Sequence, residues 1–351
     1  MDLNLTDSQT LLVDSAQRFF TRGYPLEKMR EIFLMQERPS SPLWSELCDL
    51  GWNAAAFPEE IGGFDGGLVE AMLLLIEMGR NACITPFPHS TVATGLALRG
   101  IDDALCAAIA NSQAIVLPVP GALVEKGGSL DGDRLSLRTL PVAWADEATH
   151  FLVEAEGRAL LVRAGQSAIV FTPLLATHGE PLFSLTMKNA EVRDLGAAAD
   201  IFPAIGNFGA FACAALLLGI SERALELAVD YAKEREQFGR PIGSFQAIQH
   251  KAADMKIVNE VGRSLVMRAA AEQDAKSFGL AASRAKSWTA DNARKVTRDA
   301  MQIFGGISFC GDHPIQMYYQ FVITLANHYG VAHEHREAVA ATLLGEASNG
   351  F

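Results

Sequence analysis

The hydrophobic period changes twice along this chain, and that change limits the folds open to it. Up to about residue 111, apolar residues recur at helical spacing, as in the segments that open at Asp7 and at Leu68. From about residue 112 to 193, short β-branched runs alternate with Gly, Asp and Pro turns. After about residue 196 the helical period returns and stays to the end. The predicted order is helices, strands, helices.

The middle zone predicts a small β domain. An Asp131-Gly132 pair is typical of a hairpin turn, because this dipeptide accepts positive φ. The β-branched runs are AIVLP at 114–118, FLVEA at 151–155, ALLVR at 159–163 and AIVFT at 168–172.

The last zone predicts a four-helix bundle. Its first helix has an apolar face at helical spacing, and further helices are predicted at 244–275, 281–303 and 332–344. At 351 residues the chain exceeds what one core usually organises. We therefore predict an α+β fold with an N-terminal helical domain (1–111), a middle β-barrel or sandwich (112–195) and a C-terminal helical bundle (196–351).

Composition excludes several classes of partner. A formal net charge of -12 argues against nucleic acid, which needs a clustered basic face. The five cysteines are far apart and form no CxxC pair, which predicts buried free thiols and no metal site. No basic segment followed by an apolar stretch opens the chain, so we expect no signal peptide and a cytoplasmic location. The apolar run at 204–220 is short for a membrane span and predicts a buried core helix, so no membrane is expected as a partner.

A segment at the end of the first bundle helix has side chains suited to a pyrophosphate. The guanidinium of Arg235 can bind phosphate oxygens bidentately, and Gln237 and Phe238 add an amide and a ring. From the residues alone, an alternative is that Arg235 pairs with Glu234 or Glu236 at the surface.

A second segment, further along, has similar potential. Gly305 and Gly306 allow a backbone to approach a ligand closely, and Gln302 offers both a donor and an acceptor to an adenine or a ribose. The alternative is that the two glycines only end a helix.

Both segments belong to longer motifs, and two further motifs lie in the first zone. The motifs are YAKEREQFGRPIGSFQ at 231–246 with AADM at 252–255, QIFGG at 302–306 with Phe309, His313 and Pro314, FPEEIGG at 57–63, and EMGR at 77–80. In residues and spacing they resemble the acyl-CoA dehydrogenase family, and the resemblance spans essentially the whole chain.

This resemblance implies FAD as the cofactor and an acyl-CoA thioester as the substrate, which is dehydrogenated between its α and β carbons, with a separate electron-transfer acceptor. In this family the ADP half of FAD is bound across a subunit interface. The resemblance therefore implies a homo- or hetero-oligomer, usually a dimer of dimers. It assigns the ADP-binding role to Arg235, Gln237, Phe238, Gln246, Gln302, Gly305 and Gly306.

The carboxylate that removes the α proton in this family is missing. Its two known positions fall on Tyr329 and Gly209, and a phenol is mostly protonated at neutral pH. His328 is a weak candidate for a substitute base, since one His beside a tyrosine is more often structural. Glu334 and Glu337 are expected on the next helix, facing solvent. The catalytic residue is left unassigned.

The middle zone also departs from the family's flavin-holding loops. This chain has LPVPG at 117–121 and PVAWA at 141–145, where the family has Thr-Glu-Pro-Gly-like and Trp-Ile-Thr-like segments. Trp144 could stack on a flavin, although a tryptophan in a small β domain is more often part of the core.

The chain thus keeps the residues that the resemblance assigns to a neighbour's FAD but lacks the carboxylate needed for its own reaction. This combination predicts a degenerate subunit of a heteromeric acyl-CoA dehydrogenase. The chain resembles such subunits in enzymes that act on bulky acyl chains, including steroid side-chain thioesters. Three alternatives stay open: a self-sufficient homo-oligomer with a relocated base, a non-catalytic assembly scaffold, and a flavin monooxygenase on the same fold.

Overall fold

The computed structural model describes residues 5–35, 40–126, 128–176, 179–310 and 313–345. Helices come first, strands follow and helices return, which confirms the predicted order. Strands begin at Val116, and the long strand that closes the β zone ends at Ala197. The exact domain limits, 111/112 and 195/196, stay predictions.

The first zone is helical, and a reciprocal cap sets its start. The backbone N–H of Gln9 donates to Thr6 Oγ1 at 3.2 Å, and that of Thr6 donates to Gln9 Oε1 at 3.0 Å. A wholly buried stretch of π-helix, Pro88–Gly95, was not predicted. The α-helices are α1 (Asp7–Gly23), α2 (Leu26–Met35), α3 (Ser40–Asp49), α4 (Leu68–Arg80) and α5 (Asp103–Ala110).

The β zone is a mixed eight-stranded sheet. Its strands are β1 (Val116–Val119), β2 (Ser129–Asp131), β3 (Arg134–Arg138), β4 (Val142–Ala143), β5 (His150–Ala155), β6 (Arg158–Arg163), β7 (Ile169–Leu174) and β8 (Leu182–Ala197). The long β8 organises the sheet, because it pairs antiparallel with β3, β4, β6 and β7, while β1 joins β5 in parallel. The hairpin turn predicted at 131–133 is confirmed: Asp131 pairs with Arg134, so Gly132 and Asp133 form the turn between β2 and β3, with Gly132 at φ 60°.

The last zone contains α6 (Ala198–Glu234), a short hairpin of β9 (Glu236–Gln237) and β10 (Arg240–Pro241), α7 (Gln246–Ala271), α8 (Phe278–Phe304), α9 (Ile315–Leu325) and α10 (Ala332–Leu344). The pattern did not predict α9. By length and composition alone α6 is able to cross a membrane, but 78% of its most apolar window is buried within the protein. That burial is typical of a core helix.

The chain forms two compact units. One contains α1, α2, Met72–Cys83 and the chain from Ala210 onward; the other contains the segment between α2 and Ala71 together with Ile84–Gly209, including the whole β sheet. Each unit has its own buried core.

In the first of these units, α4 and α6 cross with their backbones in close approach. A Cβ added at Gly79 would lie 2.2 Å from the carbonyl oxygen of Leu216, and one added at Gly219 would lie 2.0 Å from that of Ile76. The two glycines therefore fix where the helices cross, since any side chain there would push them apart.

An ion network lies next to this crossing. The guanidinium of Arg80 contacts Glu226 at 2.8 Å and Glu222 at 3.3 Å, and Arg263 of α7 contacts Glu222 at 2.7 Å. The hydroxyl of Tyr318 in α9 donates to the Arg80 carbonyl at 2.6 Å. Arg80 thus joins α4 to α6 and α9, and Arg263 adds α7 through the shared Glu222.

We predict that Gly219→Ala lowers the free energy of unfolding by about 2–3 kcal/mol, because the added methyl group forces α4 and α6 apart. Gly206→Ala is the matched control. It lies in the same helix with open space around a Cβ, and should raise stability by up to about 1 kcal/mol. Urea unfolding of both variants measures the difference; equal unfolding midpoints would contradict the predicted close crossing.

Candidate functional site

The hairpin after α6 presents Phe238 to solvent. β9 and β10 pair with Arg240 opposite Gln237, so Phe238 and Gly239 form the two-residue turn, at φ 56° and 79°. Left-handed backbone is unusual for a bulky residue and favours function over local stability as its explanation. The ring is 93% exposed, and the edge of Phe245, at 6.1 Å between centroids, is its ring neighbour among the described residues. Phe238 therefore contributes little to this chain's own core.

Arg235 follows the last turn of α6. Its backbone N–H donates to the Tyr231 carbonyl at 2.8 Å, and its own carbonyl accepts from the N–H of Ile242 at 2.8 Å. Within the described residues its exposed guanidinium has no ion pair or hydrogen bond, so pairing with Glu234 or Glu236 is not seen. Its position is fixed by the backbone while its charge stays available.

Gln302, Gly305 and Gly306 lie where α8 ends. Gly305 caps the helix at φ 70° and ψ -145°, and a turn of 3₁₀-helix, Gly305–Phe309, follows. The side chain of Gln302 is exposed, and so are Ile307 (48%) and Phe309 (77%). Gly305 does end a helix, as the alternative interpretation held, and it does so beside an exposed apolar surface.

Two contacts bring these segments to the same end of the bundle. The rings of Tyr231 in α6 and Phe304 in α8 lie 4.9 Å apart between centroids, and Lys251 of α7 binds Asp299 of α8 at 2.8 Å. Each predicted cofactor-binding residue is within a few positions of one of these four residues. We call the predicted set the signature face: Arg235, Gln237, Phe238, Gln246, Gln302, Gly305 and Gly306.

Sequence reasoning left out two neighbours of the signature face. Phe309, quoted only as part of a motif, is 77% exposed, compared with 93% for Phe238. The guanidinium of Arg240 lies over the Phe245 ring at 4.1 Å and adds a second cation to the hairpin. A hairpin with exposed aromatic and cationic side chains suits an anionic ligand that also carries flat rings.

The two positions that the resemblance assigns to the family's carboxylate hold no carboxylate. Gly209 is buried inside α6, and Tyr329 is half-buried in the connection between α9 and α10, at φ 52°. His328, the weak candidate base, is half-buried in the same connection. The carboxylate of Glu334 accepts from the backbone N–H of Val331 at 2.9 Å, so it caps α10 instead of facing open solvent. Glu337 is exposed, as expected.

The segments at 117–121 and 141–145, which replace the flavin-holding loops of the β domain, are mostly buried. β1 is buried along its whole length, and Trp144 is fully buried at φ 62°, with no hydrogen-bond partner for its indole N–H in the described part of the chain. Its backbone N–H donates to Pro181 at 2.8 Å. Trp144 is thus a core residue and offers no ring face for stacking.

A groove of about 640 Å³ lies beside this segment. Among its described lining residues the ionisable side chains are Asp146 and Glu180, without Lys or Arg, and the rest are apolar or backbone. Phosphate groups need cations or N–H donors, so this lining is unsuited to a dinucleotide. The lining residues are Asp146, Phe171, Pro173, Leu174, Leu175, Ala176, Gly179, Glu180, Pro181, Leu182 and Phe183.

Comparison with known proteins agrees with the order of elements. Residues 6–104 match the family model "Acyl-CoA dehydrogenase, N-terminal domain", and residues 206–344 match "Acyl-CoA dehydrogenase, C-terminal domain". The curated acyl-CoA dehydrogenase FadE27 of Mycobacterium tuberculosis is 29% identical over 84% of this chain and 85% of its own length. The acyl-CoA dehydrogenase IpdE2 of the same organism is 30% identical over 79% of each chain.

Solved structures share the fold over nearly the full length. The Tcur3481-Tcur3483 steroid ACAD has a TM-score of 0.86 at 28% identity and covers 97% of this chain and 98% of its own. The ChsE4-ChsE5 complex from Mycobacterium tuberculosis has a TM-score of 0.88 at 24% identity, covering 99% and 100%. Fold and matched domains together define a flavin oxidoreductase of the α-β-α type. The chain belongs to the acyl-CoA dehydrogenase family.

We predict that one thiol, Cys310, reacts rapidly with a disulfide reagent in the native chain. Cys83, Cys106 and Cys213 are buried, as predicted, whereas Cys48 is half-buried and Cys310, against the prediction, is exposed next to Phe309. Burial raises the pKa of Cys106 to about 12 and that of Cys83 well above its ordinary value, so both stay as thiols. Thiol titration at neutral pH checks this, with Cys310→Ser as the control. Several fast thiols in the native chain would contradict it.

Proposed function

We propose that this chain is a subunit of an FAD-dependent acyl-CoA dehydrogenase, in which it binds the ADP half of a flavin seated mainly in a neighbouring subunit. The observation that carries the proposal is the signature face: a hairpin holds Phe238 almost fully exposed in a left-handed turn, beside Arg235, whose guanidinium has no partner among the described residues. Exposed apolar rings grouped on one surface usually mark a binding surface.

The signature face has the chemistry that an adenine dinucleotide requires. Arg235 supplies a charge for bidentate contact with pyrophosphate oxygens, and Gln302 can both donate to and accept from an adenine or a ribose. Gly306 is exposed and has open space where a Cβ would be, so its backbone can approach a ligand. The residues therefore fit FAD, and Phe238 would cover its ADP half from one side.

When bound, FAD supplies the acceptor for the hydride that leaves the β carbon of the thioester. The residues of this chain orient that cofactor and shield it from water. The α proton needs a carboxylate within hydrogen-bond reach, and neither Gly209 nor the phenol of Tyr329 provides one at neutral pH. The base is therefore assigned to another subunit.

A heteromer explains both the retained and the lost features. The signature face keeps its exposed side chains, while the groove beside Trp144 lacks any cation for a second cofactor among its described lining residues. We place the chain in an oligomer, in the arrangement of a dimer of dimers, with a paralogue that retains the carboxylate. The substrate class is a fatty or steroid side-chain acyl-CoA, the acceptor is a separate electron-transfer protein, and the location is the cytoplasm.

The self-sufficient alternative requires a base elsewhere in the chain. Of the two nearby groups, Glu334 is used as a helix cap, and His328 lies in the same connection as Tyr329. Separate His328→Ala and Glu334→Gln variants distinguish the self-sufficient enzyme from the heteromer. Turnover would be abolished by one of these substitutions only if that side chain were the relocated base.

Purified alone, the chain is predicted to hold far less than one FAD per protomer and to leave free flavin unreduced when an acyl-CoA is added. Co-expressed with a family member that has an intact catalytic glutamate, it should co-purify as a yellow complex that acyl-CoA bleaches. Absorbance of the flavin and native mass measure both. Stoichiometric flavin in the isolated chain, with rapid bleaching, would overturn the proposal.

In that complex, Arg235→Ala and Phe238→Ser should each lower the affinity for FAD by about tenfold or more, since each removes a contact worth about 1.4 kcal/mol or more. The thermal midpoint of the isolated chain should not change, because both side chains are exposed and make no core contact. Arg18→Ala, an exposed arginine on α1, is the control. If the control loses flavin equally, or if neither variant does, the signature face does not bind the cofactor.

A further inference from the structure

The connection between α9 and α10, residues 326–331, is held at its first end by a buried lysine. The ammonium of Lys286, on α8, donates to the carbonyl of Leu325 at 2.7 Å. Leu325 is the last residue of α9, whose final carbonyls have no partner within the helix. The Lys286 side chain is 0% exposed, which is rare for a lysine and shows that the contact is built into the core.

The other end is held by a buried histidine on α10. Nε2 of His335 lies 2.9 Å from the carbonyl oxygen of Tyr329, and Nδ1 lies 3.1 Å from the hydroxyl of Ser283. A carbonyl only accepts, so Nε2 carries the proton, and Nδ1 of the neutral ring accepts from Ser283. Ser283 and Lys286 are three residues apart on α8 and so lie on the same face of that helix.

The backbone between these two ends is in an unusual conformation. Tyr329 and Gly330 have φ of 52° and 95°. A Cβ at Gly330 would lie 2.9 Å from Nε2 of His335. His335 therefore occupies the space beside the glycine, and the two left-handed residues persist because contacts around them enforce the conformation.

Charge makes this arrangement sensitive to pH. The pKa of His335 is lowered to about 4, mainly by burial and in part by the Lys286 charge, while the Tyr329 carbonyl and Glu334 oppose the shift. Burial also lowers the pKa of Lys286 to about 8, with Cys213 and Arg294 as the other charged or titratable neighbours. At neutral pH the histidine is neutral and the lysine is mostly charged. Protonating His335 would place a second buried cation beside the first and remove the acceptor for Ser283.

We propose that Ser283, Lys286 and His335 form a clamp that positions the α9–α10 connection, and that this clamp opens when acid protonates His335. These three are positioning residues, because the groups they orient are His328 and Tyr329. Tyr329 occupies the position at which the family carries its carboxylate. The proposal goes beyond the proposed function, since the clamp is complete within the isolated chain and needs neither flavin nor a partner.

Hydrogen exchange of the full chain, read by mass spectrometry, tests the clamp. At neutral pH, His335→Leu should speed exchange at residues 327–331 by about tenfold or more, since it removes the ring's hydrogen bonds with Tyr329 and Ser283. His335→Gln keeps a donor and an acceptor and should exchange within a few-fold of wild type. Peptides from the middle of α7 should not change in either variant.

The wild-type pH profile gives a second readout, which needs no variant to fold. The histidine has a lower pKa folded than its ordinary value of about 6.5, so protection should be full above that pH and fall steadily toward pH 4. After correction for intrinsic exchange, His335→Gln should lose this pH dependence at residues 327–331. The clamp is rejected if protection there is independent of pH, if Gln is as disruptive as Leu, or if exchange rises equally along α7.

Discussion

The contact between α4 and α6 is the constraint on which the helical unit depends. Two glycines let the backbones meet, and Arg80 then joins both helices to α7 through Glu222 and Arg263, and to α9 through Tyr318. Removing one member of such a half-buried network leaves a charge without its partner, which costs more than the intact pair contributes. The network fixes the direction of α6, and α6 in turn delivers Arg235 and the hairpin to the end of the bundle.

The order of helices and strands could be predicted because a few residues are enough to tell the helical period of 3.6 from the strand period of 2. The turn at Asp131-Gly132 could be predicted from the φ values that glycine permits. α9 escaped prediction because its apolar content is high and extends to the exposed Ile323, which blurs the contrast between its buried and exposed faces. The π-helix at 88–95 escaped for a different reason: it is wholly buried although it contains the polar residues His89, Ser90, Thr91 and Thr94, so its sequence shows no apolar period. The sequence motifs located the signature face. They did not predict that Phe238 and Phe309 are exposed to solvent, because a motif does not specify how a hairpin is oriented in the fold. The binding roles of those residues are still predictions.

The Ser283, Lys286 and His335 contacts had no signal in the sequence. A lysine in the middle of a helix is ordinarily solvated, and a histidine near the end of a chain is ordinarily exposed. Both are buried here because the last two helices turn back over α8, which depends on the whole packing of the unit. The spacing of the motifs was enough to point to Tyr329 in the sequence. The hydrogen bond between its carbonyl and His335 depends on the tertiary fold, which spacing does not describe.

The two exposed phenylalanines at the end of the bundle have a consequence for the cell. A protein that carries such rings on its surface is prone to self-association while it waits for a partner, and is a natural substrate for chaperones and proteases. Production of this polypeptide would then have to keep pace with that of whatever covers its aromatic end. In the proposed heteromer, linked expression of this chain and its partner subunit would achieve this balance more simply than any change in the stability of the fold.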